Sequence, residues 1–256
     1  MPNFAANLTM MFNELPFLDR FDAAAKAGFK AVEFLFPYEH DAETVREKAM
    51  AAGVEIALFN MPPGDWESGE RGIAAFPDRA QEFSNNLVTA LHYAQVLRVP
   101  RIHMMAGLAD SNNQTAQERY LAALCEAADA AQPYAIDILL EPINKRDMPG
   151  YFLNDFNQAV ALIEKTARSN VKLQYDIYHR QILHGDVTRS LETLLPLIGH
   201  IQTASVPLRH EPGSGELNDT AIFKLLDRLG YSGFIGCEYR PQKGTLEGLE
   251  WLKPYL

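Results

Sequence analysis

Cysteine is nearly absent from this chain, and its scarcity excludes a class of chemistry. The two that occur, Cys125 and Cys237, form no C-x-x-C pair, so no thiolate zinc site or redox motif is encoded. Both read as small buried hydrophobes. Positive charge is also short. The 23 Lys and Arg stand against 33 Asp and Glu, a net charge of −10. Nucleic acid is therefore not an expected partner, since phosphate backbones are bound by clustered Lys and Arg. No apolar run approaches membrane-spanning length, and the start, MPNFAANLTMMF, lacks the positive region and apolar stretch of a secretion signal. A cytoplasmic chain without a membrane partner is expected. No complete glycine-rich fingerprint for nicotinamide or phosphate is present either.

What is there is an alternation. The 256 residues are 47% apolar and 22% charged, as in a soluble globular protein. Strand-like segments cover Phe4–Leu8, Ala31–Phe36, Val54–Asn60, Arg101–Met105, Ile136–Glu141, Lys172–Asp176, His200–Ala204 and Phe234–Tyr239. Helical patterns separate them at Phe17–Ala27, Ala42–Ala52, Arg79–Leu97, Ala116–Ala131, Phe156–Arg168, Thr188–Ile198 and Thr220–Leu229, with a last one at Leu246–Leu252. The punctuation agrees. Pro16 suits a first helical turn, Gly28, Gly53 and Gly230 suit helix ends, and Asp41, Asp155 and Asp219 suit N-caps. Eight strand–helix units with no linker predict a closed (β/α)8 barrel, one α/β domain over residues 1–256.

Four polar residues close the later strands: Glu141 in ILLEP, Asp176 in KLQYD, Gln202 in GHIQ and Glu238 in IGCE. They recur at roughly one βα unit. By strand parity each can face the barrel mouth while its apolar neighbours pack under helices. A one-residue slip of register would break that agreement. Three carboxylates and an amide oxygen form a hard, all-oxygen donor set, suited to Mg²⁺ or Mn²⁺. Glu33 faces the mouth by the same parity and reads as a salt-bridged supporting group; His103 ends the fourth strand and could line the mouth, though a core histidine is the preferred reading. Two long Gly- and Pro-rich connections follow the third and seventh strands, on the face where barrels of this kind build their sites. The first holds Trp66, Glu70 and Arg71, a lid candidate that would exclude water. The second holds Arg209 and His210, both candidates for substrate binding. Arg209, or else Lys145 or Arg146, is a candidate partner for a substrate carboxylate.

The segments FAANLTMMF, AVEFLFPYEH, PGDWESGERGIA, LEPINKRDMPGYFL, QYDIYH, RHEPGSGELN and GCEYRP closely resemble the hydroxypyruvate isomerase family, which includes the 2-oxo-tetronate isomerases, among the xylose-isomerase-like TIM barrels. The likeness runs over essentially the whole chain. It implies a divalent cation held by Glu141, Asp176, Gln202 and Glu238, and Glu141 and Glu238 as the acid/base pair. It also implies that His179, three residues past Asp176, reaches substrate hydroxyls from a strand end or early loop. Wider relatives, the ketose 3-epimerases, commonly carry His where this chain has Gln202, a departure that favours oxygen-preferring ions.

The chemistry expected is the shift of a carbonyl between adjacent carbons of a small sugar acid, through an enediolate. Hydroxypyruvate and a 2-oxo-tetronate are the two substrate candidates. Ketose 3-epimerisation and a non-catalytic sugar-acid sensor are the competing readings. The oligomeric state is left open, a homo-oligomer included.

Overall fold

The computed structural model describes all 256 residues. Eight parallel strands pair in sequence order and close into a barrel: β1 (Asn3–Asn7), β2 (Ala31–Phe34), β3 (Glu55–Asn60), β4 (Arg101–His103), β5 (Asp137–Leu140), β6 (Val171–Asp176), β7 (Ile198–Thr203) and β8 (Phe234–Cys237). Parallel neighbours need a crossover, and a helix supplies each one. These are α1 (Arg20–Lys26), α2 (Ala42–Ala52), α3 (Ala80–Leu97), α4 (Gln114–Ala131), α5 (Phe156–Thr166), the pair α6 (Ile177–Leu183) and α7 (Val187–Leu194), and α8 (Asp219–Arg228). A 3-10 segment, Leu246–Tyr255, ends the chain.

The helices form because their apolar residues recur on one face. In α3 the buried set is Phe83, Leu87, Ala90, Leu91, Ala94 and Leu97, a stripe at helical spacing. Each fully buried Leu or Phe contributes about 1.5–3 kcal/mol. The main core, 67 residues, lies between the strands and this outer ring. Inside the barrel the floor is small: Ala5, Ala31 and Ala57 form their own cluster.

Above that floor lies a buried polar layer. Glu33 accepts from Asn7 Nδ2 (3.0 Å) and Gln202 Nε2 (2.8 Å), and pairs with His200 Nε2 (2.6 Å). Gln174 Nε2 donates to Gln202 Oε1 at 2.6 Å. The layer fits because β8 carries Gly236, where a Cβ would run into the Glu33 carboxylate. Glu33 thus faces the barrel interior, as parity predicts, and its carboxylate joins Asn7, His200 and Gln202 by hydrogen bonds.

Several details depart from expectation. The helix α6 follows β6 with no turn residue between them, so it has no sequence punctuation. Asp176 ends the strand and caps the helix, accepting from Tyr178 N at 2.7 Å. Asn218, not Asp219, caps α8; the Asp219 carboxylate instead accepts from Gly213 N at 2.6 Å. Pro16 precedes a short 3-10 turn, Phe17–Asp19, rather than sitting inside α1. Asp155 caps α5 through two backbone N–H groups, while Asp41 holds its position without a side-chain bond. Cys237 is buried, but Cys125 only half so. No helix is long and apolar enough to cross a membrane.

Candidate active site

The strand register decides where the four polar residues go. Asp176 lies opposite Gln202, and Gln202 opposite Gly236, at the carboxyl ends of β6, β7 and β8. Glu141 and Glu238 each follow the last residue of their strand. A cavity of about 540 Å³ opens there, lined by Glu141, Glu238, His103, His179 and Arg209 among others. A larger hollow of about 860 Å³ lies between α8 and the C-terminal segment, but the converging buried carboxylates are not in it.

The cavity floor is a web of charge. Arg209 Nη2 lies 2.6 Å from Glu238 Oε2 and 3.5 Å from Asp176 Oδ2, and its Nη1 lies 3.7 Å from Asp147. His179 Nε2 is 3.5 Å from Asp176 Oδ2 and 3.9 Å from Glu141 Oε1. Facing atoms of Glu141, Asp176 and His179 lie within 4.8 Å of one another. His103 Nε2 stands 3.7 Å from Glu141 Oε2.

Burial sets the protonation. It pushes Glu141 well above the usual carboxylate range, helped by repulsion from Glu238 and Asp176. Burial raises Glu238 to about 8 against the pull of Arg209, and Asp176 to about 6 against Arg209 and two backbone N–H groups. Burial also drops His103 to about 3 and holds His179 well below the usual histidine range, so both imidazoles are neutral at pH 7. Burial pulls Arg209 down, but Glu238, Asp176 and Glu141 outweigh it and keep the guanidinium charged.

The His179 tautomer follows from its partner. Asn144 N donates to Nδ1 at 3.3 Å, so the neutral ring carries its proton on Nε2, toward the cavity. His179 is thereby a donor into the site. It sits in the first turn of α6 rather than in a loop.

Four buried atoms here have no hydrogen-bond partner: Glu141 Oε1, Asp176 Oδ2 and both ring nitrogens of His103. Unmet buried polar atoms are costly, and this cluster of them faces one space. The free oxygens of Glu141 and Asp176 suit a hard dication, while Glu238 stands outside that converging group, its Oε2 held by Arg209. Gln202 is engaged elsewhere. Its amide is engaged in the polar layer below, through Gln174 and Glu33, and one lone pair of its oxygen is left.

The remaining sequence candidates divide. Trp66 and Arg71 line the cavity. Glu70 does not; it is bound to Arg79 and accepts from Asp65 N at 2.6 Å. His210 turns away, its Nδ1 2.8 Å from Arg240 O. Lys145 and Arg146 are exposed outside the cavity. His103, read as a core histidine, lines the site with both nitrogens free. Asn144 and Asp147, which contact His179 and Arg209, carry no signal in the sequence beyond Asn144 standing three residues past Glu141 in EPIN. Polar residues in a post-strand loop carry no periodicity to expose them.

Residues 21–255 match the family model described as xylose isomerase-like TIM barrel. The chain is 54% identical over its whole length to 2-oxo-tetronate isomerase of Cupriavidus necator, covering 99% of that protein. It is 41% identical to hydroxypyruvate isomerase of Escherichia coli, with both chains fully covered. A Brucella melitensis crystal structure, described as an AP endonuclease of family 2, superimposes with a TM-score of 0.98 at 48% identity, over 100% of this chain and 99% of that one. An L-ribulose 3-epimerase structure, 22% identical, shares the fold with a TM-score of 0.77 over 99% of this chain and 86% of that one. The chain belongs to the hydroxypyruvate isomerase family, with the 2-oxo-tetronate isomerases, among the xylose isomerase-like TIM barrels.

Proposed function

We propose that this chain interconverts a 2-oxo-tetronate and its 3-oxo isomer by moving a proton between adjacent carbons. One observation carries the chemistry: the buried Glu141 and Glu238 line one cavity, with buried Asp176 3.5 Å from the Arg209 that also lines it, and the two glutamates are held above their ordinary pKa. A carboxyl raised in this way is a stronger base than an ordinary one and can take a proton from carbon and return one. The choice of four-carbon acid over hydroxypyruvate rests on the 54% identity to the Cupriavidus protein against 41% to the Escherichia one.

Glu141, Asp176, Gln202 and Glu238 would hold Mg²⁺ or Mn²⁺. That ion, when bound, supplies Lewis-acid polarisation of the substrate carbonyl and positive charge for the enediolate. The protein does the rest. Arg209 fixes the Glu238 carboxylate through Nη2 and stacks 4.9 Å from the Tyr178 ring. His179 offers its Nε2 proton to a substrate oxygen. Glu141 and Glu238 take and return the carbon-bound proton. Trp66 shields the cavity from water. The Brucella description suggests DNA as a target, but a net charge of −10 is poor equipment for a phosphate backbone.

The test is NMR of each acid incubated in D₂O with the protein and Mg²⁺. A moved carbonyl, with deuterium on the carbon that receives the proton, supports the isomerase. Deuterium at an inverted C3 beside an unmoved carbonyl means an epimerase. Both acids unchanged rejects the reading.

A further inference from the structure

The proposed substrates are acids, and the cation that the sequence nominates for them is already engaged. Arg209 is shared among Glu238, Asp176 and Asp147. A guanidinium whose donors already face three carboxyl groups has little capacity left for a fourth. The cavity offers another. Arg71 lines the same space, and no carboxylate oxygen lies within salt-bridge distance of it. The neighbouring Glu70 cannot serve, since Arg79 holds it.

We infer that Arg71 binds the substrate carboxylate, through the Nε–Nη2 edge of its guanidinium. This rests on the proposed sugar-acid reading and adds the residue that selects acids over neutral sugars. Its Nη1 donates to Trp66 O (3.1 Å) and Glu70 O (2.7 Å), so that corner is anchored. Nε and Nη2 make no hydrogen bond within the protein. They form the side-on fork that matches two carboxylate oxygens. The plane is set as well: the guanidinium carbon lies 3.8 Å from the centroid of the Trp66 ring. A stacked, anchored guanidinium loses little freedom when it binds.

The loop that carries Arg71 is fastened on both sides. Glu70 Oε2 accepts from Asp65 N at 2.6 Å, and Trp66 packs edge-on against Phe36 at 5.0 Å. Gly72 N donates to Pro63 O at 2.8 Å, and Gly72 bridges to Ala106. These contacts place a charged fork in the cavity wall. Arg240 is the one rival among the cavity cations; it is exposed at the rim and has no side-chain hydrogen bond in the protein.

Steady-state kinetics of Arg71→Met, Arg71→Lys and Arg240→Met test the assignment, with Mn²⁺ binding followed by EPR. Loss of a charge-assisted pair raises KM for the acid by about 10- to 100-fold in Arg71→Met. Expected alongside are kcat within about threefold, unchanged Mn²⁺ affinity and a smaller KM rise in Arg71→Lys, which keeps charge but not the fork. Arg240→Met keeps the wild-type KM. An unchanged KM in Arg71→Met, a KM rise that follows Arg240 instead, or a parallel loss of Mn²⁺ affinity overturns the role of Arg71. A wild-type protein that turns over neither acid sinks the isomerase reading itself, which is a different result.

Discussion

At the scale of single residues, the site trades stability for reactivity. Glu141 is buried with one oxygen unpartnered and two carboxylates repelling it. Replacing the carboxyl with an amide removes the ionisable group that burial and these neighbours disfavour. Glu141→Gln and Glu238→Gln are each expected to lower kcat by about 10²–10⁴-fold, the size of a lost acid/base group. Glu141→Gln should also raise the melting temperature of the cation-free protein at pH 8, in keeping with strained active sites elsewhere. Calorimetry in EDTA beside a turnover assay checks both halves. A variant that is less active and less stable would mean that the carboxylate is structural. These carboxylates were legible because strand parity and spacing made four polar residues agree. His103 was not, because a histidine at a strand end looks the same whether it packs or faces a cavity. Only its two unmet nitrogens separate the cases.

At the scale of elements, the strands and most helices were readable because period-2 and period-3.6 patterns differ and turn residues separate them. The α6 helix escaped because QYDIYHRQIL passes from one period to the other with no Gly or Pro between. Asp176 plays both parts there, and sequence periodicity cannot show a residue that ends one element and caps the next. The loop between β3 and α3 was readable as a candidate wall of the site, but its anchoring was not. That anchoring depends on Gly72, at φ 102°, where a Cβ would run into the Met105 carbonyl oxygen. Gly72→Ala is therefore expected to displace Arg71. Strain of about 1–3 kcal/mol lowers the melting temperature by roughly 2–10 °C in a chain of this size. KM for the acid should rise while kcat falls less. A Gly72→Ala protein with wild-type KM would show that the loop adapts and that its anchoring is incidental.

At the scale of the whole molecule, the raised carboxylates make stability depend on pH. The folded state holds protons on Glu238 up to about pH 8 and on Asp176 to about 6, while the unfolded chain releases them near pH 4. Folded-state affinity for protons exceeds unfolded-state affinity, so their contribution shrinks as pH rises through that window. His103 and His179, buried and neutral, act in the other direction, but only below about pH 6.5. Between pH 6.5 and 8 the carboxylates dominate. The cation-free protein should lose melting temperature over that range, and added Mn²⁺ should raise it more at pH 8 than at pH 6. A Mn²⁺ shift that does not grow with pH would separate the ion from these carboxylates. The same geometry orders events during synthesis. Because β1 closes onto β8, the barrel cannot zip until Cys237 has left the ribosome, and Glu33 from the first quarter of the chain must wait for His200 and Gln202. A nascent or truncated polypeptide thus carries the acidic side chains long before it owns a reaction centre.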